Sequence, residues 1–117
     1  MPGAHRLRLR RDFDLVHRRG RRVQGSHLTV LVLARQPGPT QIGITTSRKV
    51  GKAVLRNRFR RLLRESLRPL VPKMVQGYKI VVVVRPRADA DQQVPSLGEL
   101  RAEVERLLTV AGVLEAA

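Results

Sequence analysis

A chain of 117 residues has room for one domain, and an apolar fraction of 42% is that of a folded protein rather than a disordered one. It lacks cysteine, which excludes disulfides and thiolate metal sites, and its longest apolar run, residues 80–84, is far too short to cross a membrane. The net charge of +15 is one-sided: residues 1–70 carry eighteen Lys/Arg against Asp12, Asp14 and Glu65, whereas residues 71–117 carry six of each sign. Acidic residues solubilise at least as well as basic ones, so this bias points to a polyanion, with nucleic acid ahead of an anionic membrane surface. Only Lys49, Lys52, Lys73 and Lys79 are lysines. Arginine suits bidentate phosphate contacts, but a GC-rich genome gives the same bias, so position says more than number.

Residues 1–10 read as a loose basic arm, arginine-bearing but without the apolar stretch of a signal peptide, which predicts a cytoplasmic protein. A short helix follows over 11–19, with Phe13, Val16 and His17 on one face and Gly20 ending it. The aliphatic run 28–34 predicts a strand, with an extra short strand near 22–24. Gln36-Pro37-Gly38-Pro39 is a turn, and 41–47 alternates as a half-buried strand. The short link between these two strands predicts an antiparallel hairpin. A long helix spans about 52–69, stopped by Pro69 and Pro72. Residues 79–85 are apolar on both faces and predict a central strand, and 89–94 a polar loop. Pro95-Ser96-x-x-Glu99 is a capping box. It opens a helix with Leu97, Leu100, Val104, Leu107, Leu108 and Ala111 in one stripe, closed by Gly112, and 112–117 is a loose tail. The order α-β-β-α-β-α predicts a single-domain, mixed α/β (α+β) two-layer sandwich, with helices covering a small sheet.

On a helical wheel at about 100° per residue, Leu55, Phe59, Leu62, Leu63, Ser66 and Leu70 gather on a core face. Arg56, Asn57, Arg60, Arg61, Arg64 and Arg68 lie opposite with no acid among them, while Arg58 and Glu65 lie at the flank, Glu65 within reach of Arg61. Like charges at this spacing repel at a cost on the order of a few tenths of a kcal/mol per pair, which is tolerable if a phosphate backbone sits across the face and releases its counterions. The approach, Ser47-Arg48-Lys49-Val50-Gly51-Lys52, brings further cations to a helix start that favours anions, but it is not a P-loop.

The stretch SRKVGKAVLRNRFRRLLRE (47–65) resembles the signature of the bacterial ribonuclease P protein component, its RNR core falling on Arg56, Asn57 and Arg58. The flanking elements follow that family's order over about residues 7–112. The resemblance implies a sandwich shared with a ribosomal-protein RNA-binding domain, including a left-handed β-α-β crossover around the arginine-rich helix. It implies a partnership with ribonuclease P RNA, which performs Mg²⁺-dependent removal of the 5′ leader from precursor tRNA, the protein supplying no metal site and no small-molecule cofactor. Arg48, Lys49, Lys52, Arg56, Asn57, Arg58, Arg60, Arg61, Arg64 and Arg68 would then face RNA. Phe13 would line a leader cleft between the first helix and the sheet, with Thr29 and Leu31 as its floor. Two departures stand out: His17 and Leu31 occupy positions where the family often has aromatics. Base stacking on aromatics contributes roughly 1–3 kcal/mol per base, so this cleft has fewer stacks to offer. Phe13 is equally suited to an ordinary helix-to-sheet core contact.

A protein active site is not expected. Asp12, Asp14 and Glu65 are scattered, while two-metal phosphodiester chemistry needs converging carboxylates. His5, His17 and His27 lack metal-ligand spacing, and no Ser/His/Asp set presents itself. The competing readings are a structural ribosomal protein of similar fold with no substrate role, and a helix-in-groove DNA binder.

Overall fold

The computed structural model describes residues 5–86 and 94–115. Its elements are α1 (Arg10–Arg19), β1 (Arg21–Gln24), β2 (Leu28–Leu33), β3 (Gln41–Thr46), α2 (Ala53–Leu67), β4 (Lys79–Val84) and α3 (Leu97–Val110), with 3-10 turns at Arg48–Val50 and Val71–Lys73.

Side-chain character decides which strands are central. β2 is buried from Leu28 to Val32, and β4 buries Ile80, Val81, Val82 and Val84, so neither suits an exposed edge. They take the two inner places of a sheet ordered β1-β2-β4-β3. β1, mostly exposed, and β3, with its glycine and threonines, form the edges. β2 pairs antiparallel with both β1 and β4, and β3 runs parallel to β4.

This order overturns the hairpin expected between β2 and β3, because β4 lies between them. Doubling a loop costs only about 0.6 kcal/mol, whereas burying one valine or isoleucine contributes roughly 1.5–3 kcal/mol. Enclosing the apolar strand therefore outweighs pairing neighbours in sequence. The true hairpin is β1–β2, where Gly25 N–H donates to the Leu28 carbonyl at 2.7 Å. Thr40 ties the start of β3 to the approach of β4: its N–H donates to Gln76 Oε1 at 3.0 Å and its hydroxyl accepts from Tyr78 N–H at 3.1 Å. The helix α2 sits inside the resulting parallel β3–α2–β4 unit.

Alternation sends each strand's side chains to two cores. Leu28, Val30, Val32, Ile80, Val82 and Val84 meet α2 and α3 through Phe59, Leu63, Leu67, Leu100, Val104 and Leu108. On the opposite face Leu31 and Val81 meet Val16 of α1, with Leu7 and the partly buried Phe13. The expected core face of α2 is observed with Leu67 added, while Leu97 at the start of α3 stays outside the core, 38% exposed.

Three local expectations change. The arm is docked from His5 onward: Leu7 is only 4% exposed, and its N–H donates to the Ile42 carbonyl at 3.0 Å. The tail is not loose where it is described, because Gly112 (φ 86°) closes α3 and buries Val113 and Leu114. Val113 N–H donates to the Leu108 carbonyl at 2.9 Å and Gly112 N–H to that of Thr109 at 3.1 Å, the bonds of a Schellman closure. Gly20 ends α1 with an ordinary φ of −70°, and is needed because a Cβ there would overlap the Val16 carbonyl. Residues 1–4 of the arm, 116–117 of the tail and all of the 89–94 loop but Val94 lie outside the described residues.

Candidate nucleic-acid interface

The basic surface begins where β3 ends. The turn Arg48–Val50 buries Val50 and leaves Arg48 and Lys49 exposed, and Gly51 redirects the chain into α2. Lys52 is the helix N-cap with no side-chain cap, and the first turn contains no acid. The unsatisfied N–H groups and the positive end of the helix dipole therefore add to the cations rather than being neutralised. Along α2, Asn57, Arg58, Arg61, Arg64 and Arg68 are exposed, and Arg56 and Arg60 are half-buried. Arg60 Nη1 donates to Asn57 Oδ1 at 3.2 Å, and Arg56 Nε is enclosed without a partner. The acid at the flank does not reach back to Arg61. Glu65 Oε1 accepts from Arg68 Nη2 at 3.0 Å, consistent with the preference for an acid N-terminal to its cation on a helix. Among the described residues the only acid-to-arginine pair on this surface is therefore at its far end.

A second basic region lies against α1. His17, Thr29 and Leu31 come together in an open pocket of about 250 Å³, whose other walls are Arg22, Gln24, Val83, Arg85 and Pro86. Phe13 does not join them there. It packs over Gly43 of β3, where any Cβ would overlap its ring, and borders a separate pocket of about 300 Å³ with Arg6, Arg60 and Arg64. The four residues expected to share one cleft thus divide between the two sides of α1. Their common support is the small core, since Phe13 also packs against the cluster of Leu7, Val16, Leu31 and Val81.

Two carboxylates brace this region. Asp12 Oδ1 accepts from Lys79 Nζ at 3.0 Å, with both side chains mostly buried, and so fixes α1 to the start of β4. Glu103 of α3, 7% exposed, accepts from the N–H groups of His27 and Leu28 at 2.9 and 2.7 Å and from His27 Nδ1 at 3.0 Å. On the other side of the same hairpin Arg85 Nη1 donates to the Gly25 carbonyl at 2.7 Å. Sequence reasoning missed Arg22, Gln24, Arg85 and Glu103. Only Glu103 left a signal, as an acid inside the stripe that carries Leu100, Val104 and Leu107. Among the described residues no group of three or more His, Asp or Glu side chains is placed to hold a metal ion, and no helix is long and apolar enough to cross a membrane.

Comparison with known proteins supplies a family. The family model described as Ribonuclease P matches residues 1–112. The ribonuclease P protein component of Symbiobacterium thermophilum is 46% identical over 116 residues, covering 98% of this chain and 97% of that one. The RNase P protein of Thermotoga maritima superposes with a TM-score of 0.78 at 32% identity, covering 90% of this chain and 96% of that one. That of Staphylococcus aureus gives a TM-score of 0.80 at 25% identity, covering 96% and 99%.

Proposed function

This chain belongs to the ribonuclease P protein family, as the protein component of that endoribonuclease, and from this premise we propose how its surfaces divide the work. The loop from Arg48 to Lys52 and the outward face of α2 bind ribonuclease P RNA, and the pockets beside α1 receive the 5′ leader of precursor tRNA. The observation that carries the first assignment is a helix face of five arginines and an asparagine, flanked by Arg58 and by a sole acid that is engaged at one end. Each phosphate neutralised there releases counterions, which turns the helix's internal repulsion into binding free energy. The ribosomal alternative draws nothing from the family match.

The leader assignment rests on the pocket of His17, Thr29 and Leu31, walled by Arg22 and Arg85. Its floor of Thr29 and Leu31 has no aromatic ring, so a leader nucleotide is held there by apolar contact and by cations on its phosphates, while Phe13 offers a ring edge on the other side of α1. The protein binds and positions. Hydrolysis of the phosphodiester belongs to the RNA with its Mg²⁺ ions, and the complex works in the cytoplasm. Reconstitution tests this reading: adding the full chain to ribonuclease P RNA at low Mg²⁺ accelerates leader removal. An unchanged rate at saturating protein overturns it.

A further inference from the structure

Of the large apolar residues on α2, only Val54 is exposed, at 82%. It contributes almost nothing to the core, and a β-branched residue is a poorer helix former than alanine, so folding gives no reason for it. A single exposed apolar side chain is ordinary. Val54 is not single. With Val50, Gly51, Lys52, Leu55 and Arg58 it lines an open groove of about 480 Å³, in the size range of sites that take small molecules.

The backbone keeps this groove open. Gly51 sits at φ 145°, ψ −162°, a conformation that is essentially glycine's alone. A Cβ there would also stand 2.6 Å from Leu55 Cδ2 and push that wall aside. Charge then selects the occupant. Arg48 and Lys49 precede the groove, Lys52 and Arg58 line it, and no Asp or Glu occurs between Asp14 and Glu65. What fits is an apolar body carrying negative charge on either side, which describes a nucleotide with its base out of the stack.

We propose that this groove receives one unpaired base of the RNA bound by α2, the base lying against Val54 and Leu55 and its flanking phosphates on Lys52 and Arg58. The proposal rests on the RNA-binding reading of α2 and adds a selectivity to it. A regular duplex cannot offer a base without unstacking, so the groove favours a bulge, loop or junction. The arginine face supplies charge-driven affinity, and the groove supplies a contribution that salt does not screen.

The test uses the full chain and a ribonuclease P RNA transcript, with affinity measured across a salt series and folding checked by circular dichroism. Val54→Ser should weaken binding about five- to tenfold with the salt slope of the wild type, and Val54→Leu should stay within about twofold. Arg58→Ala should instead lower the slope by about one. If Val54→Ser binds like the wild type while Arg60→Ala is weakened, the groove is empty surface and the helix reading stands alone. If neither variant changes binding, the helix reading itself fails. A flatter slope for Val54→Ser would trace its loss to displaced cations and overturn base capture. The same loss on a duplex RNA without unpaired nucleotides would overturn it equally.

Discussion

The outward face of α2 and the pockets beside α1 are both basic, yet they are assembled in opposite ways. The α2 face comes from a single element: its arginines are neighbours because a helix repeats every 3.6 residues, and nothing distant is needed to align them. The α1 pockets draw on α1, β1, β2 and the end of β4 for one cavity, and on the docked arm, α1, β3 and α2 for the other. One surface survives as long as its helix does. The other exists only while hairpin, sheet and helix keep their registers, and it is braced by Glu103 and the Asp12–Lys79 pair.

The widest separation between the two regions comes from Glu103→Ala. It strips a charged acceptor from the N–H groups of His27 and Leu28, the latter buried, and should cost about 2–4 kcal/mol in urea unfolding. Among the molecules that stay folded, affinity for ribonuclease P RNA should remain close to wild type, while precursor tRNA loses its preference over mature tRNA. Equal losses on both RNAs would mean that the hairpin supports the α2 face as well.

This contrast also explains what the sequence made legible. The faces of α2, the capping of α3 by Ser96 Oγ and the central place of β4 all follow from local period or local chemistry, and all are present. The pairing of β2 departs from the expected hairpin because a short connection suggests one, while the burial of a strand more than forty residues away decides the partner. The parting of Phe13 from His17, Thr29 and Leu31 was invisible for the same reason: it depends on β3 lying outside β4, so that Gly43 meets the ring at one side of α1. A glycine inside an alternating strand pattern is a trace of such a close approach, though it does not say what approaches. The docking of Leu7 and the burial of Val113 likewise depend on surfaces that exist only after the sheet has formed.

Phe13→Ala should have the next largest effect, on the α1 side alone. If the ring meets the leader, precursor tRNA binding by the holoenzyme falls about tenfold while mature tRNA binding is unchanged, the scale of one lost stacking contact. If both fall together, Phe13 is a packing residue that closes the sheet over Gly43. Arg60→Ala falls next in size and belongs to both surfaces, because Arg60 stands on α2 and also borders the Phe13 pocket. It should weaken ribonuclease P RNA binding several-fold and lower the salt slope by about one. A slope change seen only when precursor tRNA is present would move Arg60 from the RNA face to the leader.

The smallest effect sharpens the comparison most, because it asks whether the α2 face is a sum of charges or a set of placed groups. Glu65 and Arg68 form an exposed pair, and such pairs contribute at most about 1 kcal/mol to stability. Glu65→Gln removes the acid and leaves Arg68 in place. If the face acts by charge alone, the variant gains one effective cation: RNA binding tightens by up to about threefold at low salt, the gain fades as salt rises, and unfolding in urea barely moves. If Glu65 instead holds the Arg68 guanidinium toward a phosphate, the variant binds more weakly at every salt concentration. Measuring Arg68→Ala in parallel separates the two. Under the additive picture the two substitutions shift affinity in opposite directions, and under the placed-group picture they shift it the same way.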